Sequence, residues 1–260
     1  MNILDKIVLR KQEEVALAKQ KASVAELEAN PNFVRKPLVF KDFLLDENRT
    51  GIIAEFKRRS PSKGLINGIA DVAEVTKAYN VAGASALSVL TDTDFFGGKT
   101  EDLLQARAVN QIPILRKDFM IDEYQILEAK AWGADIILLI ASILTPQQII
   151  EFGKLAQSLG LNVLLEVHNL AELEKSICPN LDAIGVNNRN LGDFTVDIQI
   201  SFDLVNKIPN DFLKISESAI DNPNIIRELK AVGYNGFLIG ENFMKTANPG
   251  QAIKNFVGEL

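Results

Sequence analysis

Acids, amines and amides recur in this chain beside short apolar runs, and that placement gives them chemical meaning. Glu55 and Lys57 stand two apart in Ala54-Glu55-Phe56-Lys57, so on an extended strand they share one side. Such a pair can move protons or form a structural ion pair, and both readings stay open. Lys117-Asp118-Phe119 supplies a second lysine. Glu166 lies between Leu165 and Val167, surroundings expected to raise a carboxyl pKa towards the range useful for proton transfer. Asn187-Asn188-Arg189-Asn190 offers amides and a guanidinium, and Ser216-Glu217-Ser218 an acid flanked by hydroxyls. Leu238-Ile239-Gly240-Glu241 ends where a helix is expected to begin. Gly240 there would let a ligand approach the backbone, and a helix N-terminus favours phosphate. Glu241 should repel that anion unless its side chain turns away. Ser60-Pro61-Ser62-Lys63-Gly64 reads equally as an ordinary turn, and Ser218 as a helix cap.

Other chemistries are hard to build. His168 is the single histidine, so a His-based triad is hardly available, and a structural or rim role is expected for it. Cys178 is the single cysteine, which excludes an intrachain disulfide and leaves no Cys/His cluster for structural zinc. It reads as a passive thiol, and Trp132 as helix packing. No H-E-x-x-H, phosphate-binding P-loop or calcium-loop pattern occurs. The net charge of −6 argues against nucleic acid or an anionic membrane as partner, yet a small anion needs only a few local cations. Charges interrupt the apolar residues near the N-terminus, and no apolar run is long enough to span a bilayer. A soluble, cytoplasmic protein is expected.

The polar residues acquire an order from the elements that carry them. Apolar runs at 51–57, 85–91, 112–117, 135–140, 162–167, 183–187, 212–216 and 236–240 are strand-length and rich in Val, Ile, Leu or Phe. They lack a simple polar alternation, so both faces are expected to be covered. Between them lie helical patterns at 71–81, 100–109, 122–132, 145–159 and 222–232. Several open on caps (Asp122; Thr145 with Gln148; Asn222 before Pro223) and close on Gly83, Gly133, Gly160 and Gly233. Eight strands alternating with helices predict an α/β fold of the (β/α)₈ TIM-barrel kind. A doubly wound open sheet is the rival, but no G-x-G-x-x-G follows the first strand. Residues 1–50 fall outside the repeat. Helices are expected over 2–20 and 23–29, as an extension packed on a barrel of residues 51–260 within one domain spanning 1–260. In such a barrel the active site forms at the C-terminal strand ends. A lone charge there is usually solvated rim. An acid or base inside or just after the apolar run in five of the eight strands is improbable as a set of independent accidents.

Six segments, in order and each at the end of an expected strand, resemble the indole-3-glycerol phosphate synthase family. They are Glu55-Phe-Lys57-Arg-Arg-Ser60-Pro-Ser-Lys-Gly64, Arg116-Lys117-Asp118-Phe119, Leu165-Glu166-Val167-His168, residues 184–191, Ser216-Glu217-Ser218 and Leu238-Ile239-Gly240-Glu241. The resemblance runs from about residue 3 to the C-terminus. It implies ring closure, decarboxylation and dehydration of 1-(o-carboxyphenylamino)-1-deoxyribulose 5-phosphate to indole-3-glycerol phosphate, without metal or organic cofactor, by a monomer. Lys117 would be the acid that protonates the substrate carbonyl, and a depressed pKa beside other cations is expected for it. Glu166 would be the base. Lys57 would engage the substrate carboxylate and donate in dehydration, while Glu55 and Asn187 would hold the leaving hydroxyl. Arg189 and Glu217 would support electrostatically, and Ser60 and Ser218, with backbone amides near Ala219, Gly240 and Glu241, would grip phosphate. Two departures stand out. Arg59 occupies a usually small position, and Ala219 a frequent glycine that would be strained if φ is positive there. A Schiff-base aldolase using Lys57 or Lys117, or a non-catalytic phosphate-binding barrel, are the alternatives.

Overall fold

Each apolar run becomes a strand whose residues face alternately into and out of a closed parallel barrel, as a period of two demands. The computed structural model describes residues 3–190 and 192–260; Leu191, the last residue of one motif, and Asn2, the first residue of the expected N-terminal helix, lie outside them. The strands are β1 (Ile52–Phe56), β2 (Ala86–Leu90), β3 (Ile114–Lys117), β4 (Ile136–Ile140), β5 (Asn162–Val167), β6 (Ala183–Asn187), β7 (Leu213–Glu217) and β8 (Gly236–Ile239). Each pairs with its successor and β8 closes on β1, so among the described residues the barrel sheet has no open edge; a short antiparallel ribbon of Arg59–Ser60 and Gly64–Leu65 stands apart from it. The expected barrel is observed. The seventh strand runs one residue further than expected, which places Glu217 inside it.

Helices occupy the intervals. The expected ones appear as α4 (Val72–Val81), α5 (Thr100–Val109), α6 (Glu123–Ala131), α7 (Pro146–Ser158) and α10 (Pro223–Ala231). Asp122 and Thr145 form capping boxes with Gln125 and Gln148, and Asn222 caps before Pro223. Gly83, Gly133, Gly160 and Gly233 all have positive φ, the left-handed conformation that lets the chain leave a helix. The sequence reading did not single out α8 (Leu170–Ser176), α9 (Gln199–Leu204) or α12 (Pro249–Val257). The first two are only two turns or less, too short for a clear 3.6-residue pattern.

Outward residues such as Ile52, Ala54, Phe56, Val163, Leu165 and Val167 pack under the helices. Inward residues form a separate core of Ile53, Leu115, Leu138, Leu164, Ile215 and Leu238. The N-terminal extension closes both ends of that inner core. Its helices are α1 (Ile3–Lys21), α2 (Val24–Glu28) and α3 (Phe40–Leu44). Phe40 and Leu44 from α3 join the inner core, where Asn162 at the start of β5 accepts the Phe40 amide N–H at 3.1 Å. Ile7 of α1 joins it too, packed with Phe119 beyond the C-terminal end of β3. Lys11, one turn further along α1, is buried in ion pairs to Asp92 and Asp118 at 3.0 and 2.9 Å. Asp92 and Asp118 follow β2 and β3, so α1 is tied to the rim that carries the polar strand ends.

Candidate active site

Alternation along the strands decides which polar groups meet. Glu55 and Lys57, Lys117, Glu166, Asn187 and Glu217 all continue the inward rows begun by Ile53, Leu115, Leu164, Ala183 and Ile215. Strand register sets their heights: Glu166 stands opposite Gly185, and Asn187 opposite Glu217. They converge on one cleft, lined also by Arg189, Ser60, Ser218 and Glu241. A second, more polar depression adjoins it, sharing Lys57, Arg189, Ser218 and Glu241 and adding Ala219, Gly240 and Asn242. Ser60 lines the first cleft and not the second, so the expected phosphate group is only partly brought together.

At the centre, Lys117 Nζ donates to Glu166 Oε2 at 2.7 Å and to Glu217 Oε2 at 3.2 Å. Lys57 Nζ lies 2.8 Å from Glu55 Oε1, and Ser88 donates to Glu55 Oε2 at 3.2 Å. Asn187 gives its amide N–H to Glu166 Oε1 at 3.1 Å, while its carbonyl accepts from Ser218 Oγ at 2.9 Å. Two glycines make room for the acids. A Cβ on Gly240 would lie 2.5 Å from Glu55 Oε1, and one on Gly185 2.1 Å from Glu217 Oε1. Gly240 therefore accommodates Glu55, in addition to any ligand.

The expected pKa directions are reversed for two groups. Glu166 is held below the usual carboxylate range: burial pushes it up, but Lys117 and His168 outweigh that. Its neighbours Leu165 and Val167 face outward, so their apolar character is not the environment of the carboxylate. Lys117 is raised, not depressed. Burial lowers it, but Glu166, Glu217 and Glu55 surround it with negative charge where cations were expected. Glu55 is likewise lowered, because Lys57 and Lys117 overcome its burial. Glu217 goes the other way, to about 7: burial raises it, Lys117 lowers it, and Glu166 raises it again. Two carboxylates share one lysine, and Glu217 is the one that holds a proton more readily.

Glu241 does not stand free to repel an anion. Its carboxylate faces Arg189 Nη2 at 3.4 Å and Lys63 Nζ at 3.8 Å, and Glu241 opens the short helix α11 (Glu241–Met244) at the expected position. Ser218 and Ala219 both adopt positive φ, 65° and 59°, so the alanine is strained where glycine would not be. The extra cation Arg59 is exposed, its stem lying beside Gly97. Trp132 stacks under Arg116 at 4.1 Å as a packing residue, and Cys178 is buried.

Some residues of the site were not read from the sequence. Ile3, Leu4 and Ile7 of α1 line the cleft with Leu90, Phe96 and Phe119, giving it an apolar wall. Their i, i+1, i+4 spacing was a usable signal of a buried helix face. His168, for which a structural or rim role was expected, sits largely buried between Glu166 and Glu172. Among the described residues no cluster of His, Cys, Asp or Glu is arranged to hold a metal.

A family model described as Indole-3-glycerol phosphate synthase matches residues 4–256. A relative named indole-3-glycerol phosphate synthase from Bacteroides thetaiotaomicron is 47% identical over 256 residues, covering 98% of each chain. One of the same name from an Acidovorax species is 41% identical over 262 residues, covering 97% of each. In structure the chain is similar to an N-acetylmannosamine-6-phosphate 2-epimerase from Clostridium perfringens, with a TM-score of 0.58 at 16% identity over 84% of this chain and 96% of that one. A structure titled Native KDPGal gives 0.57 at 12% identity over 82% and 93%. At those identities the structural likeness concerns the barrel alone.

Proposed function

This chain belongs to the indole-3-glycerol phosphate synthase family, and from that premise we propose how its barrel mouth closes an indole ring. The enzyme is a carboxy-lyase of tryptophan biosynthesis. It converts 1-(o-carboxyphenylamino)-1-deoxyribulose 5-phosphate to indole-3-glycerol phosphate, carbon dioxide and water. The observation that carries the residue assignment is Lys117 Nζ, hydrogen-bonded to two buried glutamates in a cleft with one apolar wall. The aromatic ring lies against that wall. The phosphate lies in the adjoining polar depression, gripped by Ser218 and by backbone N–H groups near Ala219, Gly240 and Glu241 at the start of α11, with Ser60 contributing from the cleft.

Ring closure forms a bond between the ring carbon bearing the carboxylate and the ketone carbon. Negative charge gathers on the ketone oxygen, and Lys117 delivers a proton to it. The surrounding glutamates keep that lysine charged and ready to donate. The forming alkoxide is more basic than an amine, so the raised pKa is no obstacle. Loss of carbon dioxide then restores aromaticity. In dehydration the hydroxyl leaves as water with a proton from Lys57, while Glu166 removes a proton from the substrate. Lys57 first engages the substrate carboxylate. Glu55 and Asn187 hold the departing hydroxyl, and Arg189 and Glu217 balance charge around it.

A Schiff-base aldolase needs a neutral amine, and the doubly paired Lys117 is the opposite of one. We also read residues 1–260 as one domain, supported by the ties from α1 and α3 to the barrel. The working unit is read as a cytoplasmic monomer, as membership of this biosynthetic family implies. Indole fluorescence on mixing protein with the ribulose phosphate substrate tests the assignment. A rise is expected with the natural chain and its loss with Lys117→Ala. A variant as fast as the natural chain would remove Lys117 from its role.

A further inference from the structure

His168 is the only histidine in the chain, and its position gives it a task that its sequence neighbourhood does not announce. It stands two residues beyond Glu166, so the strand period turns both towards the barrel mouth. Its Nδ1 lies 3.1 Å from Glu172 Oε2, and its backbone N–H donates to the same oxygen at 2.9 Å. Glu172 is itself fixed. It lies in the first turn of α8, accepts from Asn169 Nδ2 at 3.0 Å, and its own N–H is capped by Asn169 Oδ1 at 2.9 Å. The ring is thus held from behind by an anion on a helix start, and its Nε2 faces Glu166 Oε1 at 3.4 Å. That nitrogen is buried and has no hydrogen-bond partner of its own.

The groups facing Glu166 are few and come from β3, β6 and β7 and from just beyond β5. Lys117 on β3 holds Oε2, Asn187 on β6 and His168 approach Oε1, and Glu217 on β7 reaches it only through the shared lysine. Two of these are cations. In the mechanism above, Lys117 gives its proton to substrate and becomes neutral. At that moment the buried carboxylate of Glu166 loses its main counter-charge, and it would tend to take up a proton before it is needed as base. A second cation that keeps its proton throughout removes that conflict.

We propose that His168, clamped by Glu172, is a positioning residue that remains an imidazolium during turnover and keeps Glu166 ionised and aimed while Lys117 is deprotonated. No proton is transferred through the ring: Lys117 donates to oxygen, Glu166 accepts from the substrate, and His168 ends each cycle as it began. Burial alone would lower the histidine pKa, but its contacts with Glu166 and Glu172 leave it at about 10, so the ring is charged at neutral pH.

The inference rests on the reading of Glu166 as base, so both are tested together in steady-state indole fluorescence from pH 3 to 9, a range that begins in the acid region where a lowered carboxylate titrates. Glu166→Gln is expected to lose at least a hundredfold in kcat, the scale of a missing base. His168→Asn is expected to lose about tenfold in kcat with KM within about twofold, and to move the acid limb of the kcat profile upward by about one pH unit. The direction follows because removing a cation makes Glu166 easier to protonate. Glu172→Gln, which leaves the ring in place and weakens its charge, should move the limb the same way by less. It also serves if His168→Asn fails to fold. An inactive Glu166→Gln beside variants of His168 and Glu172 with natural kcat and an unmoved limb would overturn the role of His168 alone. An active Glu166→Gln would overturn the base assignment beneath it.

Discussion

Replacing Lys11 with methionine isolates what the N-terminal helix contributes. The lysine side chain is 4% exposed, and its ammonium meets Glu14 at 2.6 Å, Asp118 at 2.9 Å and Asp92 at 3.0 Å. Methionine preserves most of the stem volume and removes the charge, leaving the carboxylates behind. Asp118 retains Arg116 and the hydroxyl of Thr91. Asp92 keeps backbone N–H bonds from Phe95 and Phe96 on Oδ1, but its buried Oδ2 accepts no hydrogen bond and has only Lys11 beside it. Removing one partner of a buried pair costs about 3–5 kcal/mol, and the surviving contacts of Asp118 argue for the lower end, about 3 kcal/mol. For a chain of this size that corresponds to a fall in Tm of about 6–12 °C. Urea unfolding at pH 7 measures it. Asp92→Asn added to Lys11→Met should recover part of the loss, since it neutralises the stranded carboxylate. The sign with pH is also set. Asp118 has its pKa lowered in the fold, chiefly because Lys11 and Arg116 overcome its burial. Its stabilising share is present above the ordinary Asp value of about 3.9 and is lost as pH falls below it. The gap between natural chain and variant should therefore hold at pH 7 and narrow only in acid. A cost under about 1 kcal/mol, or no recovery in the double variant, would refute the reasoning that α1 is anchored through this charge.

Ala219→Gly should stabilise the protein by about 0.5–1 kcal/mol in urea unfolding. Relief of left-handed strain at φ 59° exceeds the added freedom of glycine in the unfolded chain. Gly240→Ala should lower kcat by about a hundredfold with an unchanged circular-dichroism spectrum, because the new methyl displaces Glu55, whose Oε1 is 2.5 Å away. For Glu217 the folded pKa is raised from 4.5 to about 7. Stability it contributes is present below 4.5 and is lost as pH rises through 7. Glu217→Gln should abolish that decline, gaining on the order of 2 kcal/mol over the natural chain at pH 8 relative to pH 5, measured by urea unfolding.

The barrel, and the order of its polar strand ends, could be read from the chain because both are local properties. A run such as Asn162–Val167 is buried on both faces and bounded by turn signals whatever it packs against. Thr145 with Gln148, and Gly160 after them, mark a helix through bonds within a few residues. The same period of two that identifies a strand also assigns Glu55 and Lys57, or Glu166 and His168, to one side. Local patterns become weak where an element is short, as in α8 and α9.

Charge state was beyond such reasoning. Glu166 looked apolar in its surroundings because its sequence neighbours are leucine and valine, yet those face away, and the groups that set its pKa arrive from β3 and from beyond β5. Lys117 was expected beside cations and stands among three glutamates drawn from β1, β5 and β7. Composition and spacing determined which elements form and which residues each one turns inward. Only closure of the barrel decided which inward residues touch, because an electrostatic field in a buried site depends on separations of about 3–4 Å between groups distant in the chain.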